Sequence, residues 1–476
     1  MKDMETGDIS DIVIIGGGMA GMVAANRAAE LGQRPLVLEK GADERYACNS
    51  RYSGGALHIC MRDIQDEAET LIDTILAVTD GAASKKLAQA LVTDAPRTYG
   101  WLKSSGIRFV RVPAINQNYI LAPVRPNRAG LHWFGRGGDV LLRTLEARLI
   151  GLGGRVVRAA RATELIMNGS ACKGVVADVA GITKTFHAKA VLLADGGYQN
   201  APDLLRQHVS PRPELIKQRN ASTGTGDGAR MARAVGAQLV GMNNGFYGHI
   251  LCRDVFENDR LWPFPLLDYV AASGIVVDGS GNRFADEGQG GIYVANNIAK
   301  LSDPLSSVVI FDEAIWQGAG RYRAIPPNPH LVLAGGTVTY HPSMSGLAVE
   351  LGLSEPNLQR TVNQYNAAVA AGNPRDLNPS RTATMYKACP IERPPFYAVR
   401  VCAGITYTMG GIATDENGRV LRDDSSPISG LFAAGATTGG LEGGPRYGYV
   451  GGLMKSAVFG LRVAEYVGKA FSREFQ

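Results

Sequence analysis

The sequence predicts an α/β fold in which a parallel-sheet domain is interrupted by a second, α+β domain. Over residues 11–41, a short apolar run, a glycine-rich turn, a helical pattern and a second apolar run follow one another, which is the order of a βαβ unit. The same alternation of apolar runs, glycine-rich turns and helical sequence returns after residue 400, whereas residues 241–400 show a different pattern that contains several prolines. We therefore predict a first domain formed by residues 1–240 and 401–476, with residues 241–400 inserted into it.

The first βαβ unit carries a glycine pattern that is typical of dinucleotide binding. Ile12–Ile15 is short and apolar enough for a buried strand, and G-x-G-x-x-G follows it as Gly16, Gly18 and Gly21. These glycines let backbone N–H groups approach a pyrophosphate at the N-terminus of the next helix. Glu39 follows the second apolar run, where its carboxylate can accept hydrogen bonds from a ribose diol. The pattern leaves open whether the dinucleotide is FAD or NAD.

The composition argues against several other classes of protein. The chain has 476 residues, 59 of them glycine, and a formal net charge of +5, without the lysine and arginine block that indicates a nucleic-acid partner. Its six cysteines include no C-x-x-C pair, which argues against a local zinc or iron–sulfur site and fits a reducing compartment. We expect no metal in the site.

The sequence also gives an expectation about location. The first ten residues, MKDMETGDIS, are polar and acidic, unlike a secretory signal. No apolar run reaches the length of a membrane-spanning helix. We therefore expect a soluble, cytoplasmic protein.

Further segments have the small residues or acids expected around a bound dinucleotide. CNSRYSGGALH, residues 48–58, suits a loop that passes close to a flat ring, and KAVLLADGGYQN, residues 189–200, predicts a second buried strand that ends beside the cofactor. Asp227 precedes a helix predicted to start near Ala229, and we expect its side chain to cap that helix. The residues predicted to bind the cofactor are Gly16, Gly18, Met19, Ala20, Gly21, Glu39, Lys40, Asn49, Ser50, Ser53, Gly54, Gly55, Val157, Asp195, Gly196, Asp227, Gly435, Gly452 and Leu453.

The returning part of the first domain is predicted in three pieces. Ile412–Leu421 and Gly430–Gly435 have the character of strands, and a glycine-rich turn follows at Gly435. A long helix of small residues then runs from Gly451 to Val467. The first domain is thus completed by sequence that lies far from its beginning.

Six sequence blocks occur in the order found in one group of flavoproteins. They are DIVIIGGGMAGMVAA, ADGGYQN, TGDGARMARAVGA, NRFADE, GITYTMGGI and GLFAAGATTGG, and together they cover essentially the whole chain. In these blocks the sequence resembles the succinate dehydrogenase and fumarate reductase superfamily. CNSRYSGGALHICMRD, RFADEG and GITYT look closest to its tricarballylate dehydrogenase branch. The resemblance favours FAD over NAD.

This resemblance implies a Rossmann-like FAD-binding domain of the glutathione reductase type, with the inserted domain as a cap over the flavin. It implies that hydrogen is removed from, or added to, a C–C bond next to a carboxylate or ketone, with hydride transfer to flavin N5 and proton transfer to a base. The neighbouring electron-withdrawing group makes the carbon-bound proton acidic, and the enzyme must stabilise the charge that develops. The implied substrate is a small carboxylate or ketone, and an electron-acceptor protein or a quinone is a candidate partner. The implied FAD is non-covalent, because Cys48 and Asn49 stand near the place where covalent members have a histidine.

The resemblance also assigns roles and shows two departures. Arg446 falls where the family has a carboxylate-binding arginine, whose guanidinium can donate two parallel hydrogen bonds to the two oxygens of a carboxylate. His249 falls near a substrate-binding histidine of the family. Fumarate reductases carry an arginine that acts as the proton donor where this chain has Gly291, and a histidine where it has Thr406. A fumarate reductase is therefore not expected.

Tyrosines are frequent at the equivalent places, namely Tyr247, Tyr293, Tyr407, Tyr447 and Tyr449. A phenol held near a cation ionises more easily or relays a proton. We predict that the catalytic residues are Arg446, Tyr407, Tyr293, His249 and Tyr247, with Glu442 as a further candidate base. Packing with one polar end is the alternative role of each tyrosine.

Two other functions remain open on the sequence alone. The same fold supports FAD-dependent oxidases and hydroxylases that use oxygen, and these are reoxidised rapidly in air. The chain also fits the flavin-binding electron-transfer subunit of a larger complex, whose own pocket is inactive. We favour dehydrogenation, because no motif for an NADH partner is visible.

Overall fold

The computed structural model describes residues 10–113, 117–125, 129–130, 133–382 and 386–474, so most of the polar N-terminal segment lies outside it. The strands are β1 (Ser10–Ile15), β2 (Pro35–Leu38), β3 (Phe109–Val112), β4 (Gln117–Leu121), β5 (Arg155–Val157), β6 (Ala160–Asn168), β7 (Ala171–Val179), β8 (Ile182–Leu193), β9 (Lys217–Gln218), β10 (Leu239–Val240), β11 (Phe246–Cys252), β12 (Ile275–Val277), β13 (Val308–Asp312), β14 (Thr339–His341), β15 (Phe396–Thr408), β16 (Gly411–Ile412), β17 (Arg419–Leu421) and β18 (Pro427–Ala433). The helices are α1 (Met19–Glu30), α2 (Ala68–Val78), α3 (Lys85–Ser104), α4 (Gly137–Gly151), α5 (Pro202–His208), α6 (Asp227–Ala234), α7 (Asp268–Ser273), α8 (Gly291–Ala299), α9 (Glu313–Gln317), α10 (Pro327–Leu333), α11 (Met344–Leu351), α12 (Glu355–Ala370) and α13 (Gly452–Glu474).

The larger sheet has a parallel centre in the order β18–β8–β1–β2–β5. Strands that are covered on both faces have continuous apolar sequences, and Ile12, Val13 and Ile14 of β1 are completely buried. The predicted α/β fold, with its interrupted FAD-type domain, is confirmed. Because ligands bind beyond the carboxyl ends of such strands, the end of β1 at Gly16 marks the expected site.

Helix α1 packs on the sheet and against α13, although the two helices are more than 400 residues apart in sequence. A Cβ atom at Gly460 of α13 would lie only 2.4 Å from the carbonyl oxygen of Ala20 in α1. Glycine therefore permits this close contact between the beginning and the end of the chain.

An antiparallel meander, β6–β7–β8, is joined to the parallel strands through β8. Residues 182–187 of β8 pair with β7, whereas residues 188–193 pair with β1. The predicted single strand Ile412–Leu421 is wrong, because β16 and β17 are separate. The carboxylate of Asp415 accepts hydrogen bonds from the backbone N atoms of Asn417 and Arg419, at 3.0 and 2.9 Å, and so closes a turn between them.

The second body is built on the sheet β11–β15–β13–β12, with β14 and β9 also paired to β15. Helices α7 to α12 pack around it, and its core includes the fully buried Ile310 and Phe311. Tyr198 and Ile216 also pack into this core, whereas Ala229 returns to the first domain. The packing thus places part of the segment before residue 240 with the second body, and the predicted domain limits stay a prediction.

Within the described residues, no helix combines the length and the hydrophobicity of a membrane span.

Candidate active site

A large cavity lies between the two bodies, at the carboxyl ends of β1 and β8. Its walls come from the glycine loop before α1, the segment 47–56, the ends of β11 and β15, and the start of α13. All of the predicted cofactor residues except Gly21 and Val157 line it. The cavity extends from the nucleotide-binding end of the first domain to a group of tyrosines contributed by both bodies.

The glycine loop leaves room for a phosphate-bearing ligand. Gly16 has a φ of +103°, and a Cβ atom there would lie 2.6 Å from the carbonyl oxygen of Ala194, so glycine is required. Within 4 Å, a Cβ atom at Gly18 would meet only one atom, Ser50 Oγ, at a distance of 3.4 Å. The N-cap residue of helix α1, Gly18, has no side chain to cap the helix, and the first turn contains no acidic residue. The N-terminus of the helix is therefore available to a pyrophosphate.

Gly21 and Val157 support the cavity from behind its walls. A Cβ atom at Gly21 would lie 2.0 Å from the carbonyl oxygen of Gly16, so this glycine allows the turn and the helix to approach each other. The carbonyl oxygen of Val157 accepts a hydrogen bond from the N atom of Glu39 at 2.9 Å. Neither residue is among those that line the cavity, and their predicted contacts with the cofactor stay a prediction.

Glu39 is buried at the cavity, at the end of β2. Its carboxylate accepts hydrogen bonds from the N atoms of Gly17 and Gly41, each at 2.8 Å. Burial raises the pKa of Glu39, and these two hydrogen bonds oppose that shift. The carboxylate retains further lone pairs for a ribose diol.

Asp195, at the end of β8, caps α6 in place of Asp227. Asp195 Oδ2 accepts a hydrogen bond from the N atom of Gly228 at 2.8 Å, whereas Asp227 pairs with Arg161 at 2.9 Å. The predicted capping role of Asp227 is therefore wrong, because a carboxylate from another strand supplies that cap. Asp195 Oδ1 is buried and has no hydrogen-bond partner among the described residues. A ligand hydroxyl would satisfy this oxygen, and the donor set as a whole fits a dinucleotide.

Segment 47–56 is held against the first domain and the cap. Ser50 Oγ accepts a hydrogen bond from the N atom of Met19 at 2.9 Å. The Asn49 side chain donates to the carbonyl oxygen of Thr406 and accepts from the N atom of Ala221, at 2.9 and 3.0 Å. Asn49 therefore links the cofactor end of the cavity to the C-terminal end of β15.

Three tyrosines meet where the two bodies face each other, and all three line the cavity. The rings of Tyr247 and Tyr449 stack with their centroids 3.9 Å apart, and the Tyr407 ring lies 5.6 Å from that of Tyr247. Strands β11 and β15 set this arrangement, because their register puts Tyr247 opposite Tyr407. Two of the residues predicted to be catalytic, Tyr247 and Tyr407, therefore lie side by side in the cavity.

Each phenol has a different hydrogen-bond partner. Tyr247 Oη lies 3.1 Å from Nε2 of His249, and Tyr407 Oη donates to Glu442 at 2.8 Å. Tyr449 Oη lies 3.4 Å from Nε2 of His58. These partners, rather than the rings themselves, decide which phenol can give a proton and which can accept one.

Tyr407 is poorly suited to ionise. Burial, followed by the negative charge of Glu442, raises its pKa well above the ordinary value of 10.0. Glu442 is itself buried, but Lys455 pairs with it at 2.5 Å and outweighs the effect of burial, so the pKa of Glu442 is lowered. Tyr407 is therefore held as a neutral phenol that donates its proton away from the cavity.

His58 and Tyr449 form a second imidazole–phenol contact. The N atom of Met61 donates to Nδ1 of His58 at 3.1 Å, so the neutral ring must carry its proton on Nε2. That proton faces Tyr449 Oη, which leaves the phenolic proton of Tyr449 free to point elsewhere. Tyr449 is thus placed to donate into the cavity.

Arg219 brings a positive charge to the tyrosines. It lines the cavity after β9, donates to the carbonyl oxygen of Pro263 and to Thr406 Oγ1, each at 3.1 Å, and lies over the Phe264 ring. In the part of the chain that the structure describes, no carboxylate is in ion-pair contact with it. Sequence reasoning missed Arg219, and its only signal was a lone arginine near a short strand.

Arg446 and Tyr293 are not among the residues that line the cavity. Arg446 donates from Nε and Nη2 to Gln289 Oε1, at 2.9 and 2.8 Å, and so links the C-terminal loop to the second body. The Tyr293 ring faces Tyr447, with centroids 5.7 Å apart. The structure thus separates two of the five predicted catalytic residues from the other three.

Comparison with known proteins agrees with this geometry. The FAD binding domain family matches residues 11–448. The chain is 27% identical to the 4-oxocyclohexanecarboxylate 2-dehydrogenase of Sinomonas cyclohexanicum, over 90% of this chain and 87% of that protein. It is 28% identical to the NADH:fumarate oxidoreductase of Klebsiella pneumoniae (strain 342), over 92% of this chain and 45% of that protein.

Among solved structures, the 3-ketosteroid delta1-dehydrogenase of Sterolibacterium denitrificans superposes with a TM-score of 0.75 at 20% identity, covering 97% of this chain and all of that one (100%). At this identity the likeness describes the fold. With the family match it places the chain among the FAD-binding flavoproteins of the succinate dehydrogenase and fumarate reductase superfamily. The chain belongs to the FAD binding domain family, and it is an FAD-dependent oxidoreductase of CH–CH groups.

Proposed function

We propose that this flavoprotein removes hydrogen from a C–C bond next to the ketone or carboxylate of a small organic acid. Arg219 holds the acid, Tyr247 takes the proton, and Tyr449 donates a hydrogen bond to the carbonyl oxygen. FAD, held by the glycine loop, Glu39 and segment 47–56, supplies the hydride acceptor. The single observation that carries this proposal is that the stacked phenols of Tyr247 and Tyr449 line one cavity together with Arg219.

Arg219 is the best candidate to bind the carboxylate. It lies in the cavity beside the tyrosines, and it forms no ion pair within the described residues. A guanidinium that is partly removed from water favours an anionic ligand, because a charge-assisted hydrogen bond replaces its lost hydration. We therefore assign to Arg219 the role that the sequence reserved for Arg446.

Tyr247 is the best candidate for the proton acceptor. Burial and, less strongly, the charges of Asp268 and Glu442 raise its pKa, but the neighbouring Arg219 charge opposes that shift, whereas burial and Glu442 raise the pKa of Tyr407 well above its ordinary value. Transfer of the Tyr247 proton to His249 also leaves the phenolic oxygen able to accept a proton from carbon. General-base assistance of this kind contributes about 10²- to 10⁴-fold to a rate.

The walls between these polar groups are apolar and aromatic. Tyr52 and Trp133 lie with their ring centroids 5.3 Å apart, and Pro263, Phe264 and Leu266 complete this surface. Such a surface favours a compact hydrocarbon body between the acid and the ketone. The curated relative named for 4-oxocyclohexanecarboxylate acts on a molecule of this kind, and we propose a cyclic oxo acid as the substrate class.

Anaerobic titration of the FAD-loaded protein tests this proposal. The panel contains 4-oxocyclohexanecarboxylate, cyclohexanecarboxylate, cyclohexanone, tricarballylate and succinate. We expect the cyclic oxo acid to bleach the oxidised flavin fastest, and an artificial quinone to restore the colour. The proposal is wrong if no compound bleaches the flavin and no unsaturated acid reoxidises the chemically reduced protein. Rapid reoxidation by oxygen with formation of peroxide would instead indicate an oxidase.

A further inference from the structure

We propose that Asp268 is a positioning residue for proton transfer, because it orients the His249 imidazole that receives the proton of Tyr247. The three side chains all line the cavity and are linked by hydrogen-bond contacts, and they are defined here as the Tyr247–His249–Asp268 relay. This inference rests on the proposed function, in which Tyr247 accepts a proton from carbon. Neither the sequence patterns nor the comparisons point to Asp268.

The geometry of the relay is continuous. Tyr247 Oη lies 3.1 Å from His249 Nε2, and His249 Nδ1 lies 2.5 Å from Asp268 Oδ2. The other carboxylate oxygen, Asp268 Oδ1, accepts a hydrogen bond from the N atom of Ile250 at 2.9 Å. Asp268 is the first residue of α7 and is buried, so both of its oxygens have fixed directions.

This geometry assigns the tautomer of His249. An ionised carboxylate only accepts hydrogen bonds, so the ring proton must be on Nδ1, facing Asp268. Nε2 then has a lone pair, and Tyr247 must donate its phenolic proton to it. The oxygen of Tyr247 keeps its own lone pairs for the cavity. This is the arrangement needed for a phenol that accepts one proton while it releases another.

The charges around His249 favour the neutral ring that the relay requires. Burial lowers the pKa of His249, Arg219 and Arg323 lower it further, and Asp268 opposes the shift. His249 therefore starts uncharged and can accept a proton. Once it is protonated, the imidazolium is paired with the Asp268 carboxylate, which limits the cost of the buried charge.

A glycine beside Asp268 explains how this carboxylate fits. A Cβ atom at Gly291 would lie 2.2 Å from Cγ of Asp268, so a larger residue there would displace the carboxylate. Gly291 is the position at which the resemblance to fumarate reductases predicts their proton-donating arginine. In this chain the same space holds Asp268, and the relay supplies the proton-transfer group that the missing arginine cannot.

In the proposed step, the C–H proton next to the carbonyl passes to Tyr247 Oη, while the original phenolic proton passes to His249 Nε2. The electron pair of that C–H bond forms the new C=C bond, and FAD bound in the cavity would supply the acceptor for the hydride that leaves the neighbouring carbon. The substrate is thereby oxidised by loss of one proton and one hydride, and one proton remains on His249 until it is released to solvent.

The substitution Asp268→Asn tests the relay sharply. The N–H of Ile250 requires an acceptor, so the new amide oxygen will face Ile250 and the amide nitrogen will face His249 Nδ1. That nitrogen donates, so Nδ1 must become an acceptor and the ring proton must move to Nε2, facing Tyr247. The variant therefore keeps the shape of the site and reverses the tautomer, so Tyr247 loses its proton acceptor.

The first measurement is the anaerobic rate of flavin reduction by the cyclic oxo acid. We expect Asp268→Asn to lower it by about 10²- to 10⁴-fold with little change in substrate Kd. The low-pH limb of the pH profile of this rate should also move to lower pH, because the carboxylate that raises the pKa of His249 is gone. Asp303→Asn is the matched control, since Asp303 is exposed and caps a short turn through Leu305, a role that asparagine retains.

The second measurement needs no turnover. In protein with ¹⁵N-labelled histidine, the His249 signals, assigned with His249→Gln, should show Nδ1 protonated in the natural chain and Nε2 protonated in Asp268→Asn. An unchanged tautomer, or flavin reduction in Asp268→Asn at the rate of the natural chain, would overturn the relay. If the natural chain itself is reduced by no acid, the proposed function fails, and the NMR result still decides the tautomer.

Discussion

The rings of Tyr247 and Tyr449 are stacked with their centroids 3.9 Å apart and their planes inclined by 14°. Each phenol contacts a different imidazole, Tyr247 that of His249 and Tyr449 that of His58. In the proposed relay Tyr247 donates to His249, whereas Tyr449 accepts from His58. A proton acceptor and a hydrogen-bond donor therefore lie side by side in one cavity, which is what removal of a proton next to a carbonyl group requires.

The donor role of Tyr449 predicts the effect of Tyr449→Phe. The ring and its stacking remain, but the donor to the developing negative charge is lost. We expect about 10²-fold slower flavin reduction by a ketone substrate. The measurement is anaerobic stopped-flow absorbance, with the exposed Tyr340→Phe as the control. A rate equal to that of the natural chain would exclude Tyr449 as the donor.

Arg219→Ala should weaken binding of a carboxylate substrate. Loss of a charge-assisted contact is worth about 2 kcal/mol, which is about a 30-fold rise in Kd. A ketone without a carboxylate should bind to the natural chain and to the variant with more similar affinities. Spectral titration of the bound flavin measures both constants.

Arg446→Ala is the informative comparison for this experiment. Arg446 donates to Gln289 and lies outside the cavity lining, so we expect a smaller change in Kd than for Arg219→Ala. The reverse order of the two effects would restore Arg446 as the carboxylate ligand and remove Arg219 from that role.

His58 predicts a loss of stability in mild acid. Burial lowers its pKa from 6.5 to about 4. The unfolded chain therefore binds a proton that the folded chain excludes, so stability is full above pH 6.5 and falls as the pH drops towards 4. Between pH 7 and pH 5 this group should remove about 2 kcal/mol from the free energy of unfolding.

Denaturant unfolding of the FAD-loaded natural chain and of His58→Gln at both pH values checks this prediction. The pH-dependent loss should be smaller in the variant by about 2 kcal/mol. Equal losses in the two proteins would show that His58 is already protonated in the fold, and its contact with Tyr449 would then need another explanation.

The pair Glu442–Lys455 predicts strong coupling between two buried charges. Their side chains lie 2.5 Å apart and are 0% and 2% exposed. Lys455→Met leaves the Glu442 carboxylate without its partner and should destabilise the fold by about 3–5 kcal/mol. Lys455→Met with Glu442→Gln should regain most of that loss. Thermal unfolding of the natural chain, the two single variants and the double variant at a fixed FAD concentration measures this double-mutant cycle. Additive effects of the two substitutions on stability would contradict the coupling.

The sequence predicted the nucleotide end of the cavity well, because that end is built from local patterns. Gly16, Gly18 and Glu39 belong to one continuous βαβ unit, whose strand, turn and helix are specified by neighbouring residues. Gly21 and Val157 do not line this cavity, and they contact Gly16 and Glu39, which do.

The catalytic end was predicted less well, because it is assembled from distant segments. Arg219 reaches the cavity through the pairing of β9 with β15, and Asp268 does so at the start of α7. Neither lies in a motif of its own. Arg446 is not among the lining residues, since its loop turns sharply, with positive φ at Gly443, Gly444 and Tyr447, and its side chain faces Gln289.

Non-covalent binding of FAD is a further prediction. Acid precipitation should leave a colourless pellet and a yellow supernatant, because the expected family linkage needs a histidine where this chain has Cys48 and Asn49. Yellow colour retained in the washed pellet would contradict this prediction.

The most direct test of the proposed chemistry compares the natural chain with Tyr247→Phe. Each is loaded with FAD and mixed anaerobically with 4-oxocyclohexanecarboxylate. We predict rapid bleaching of the natural chain and bleaching about 10²- to 10⁴-fold slower in Tyr247→Phe, at similar FAD content and substrate Kd. Equal rates in the two proteins, or no bleaching of the natural chain by any acid of the panel, would contradict it.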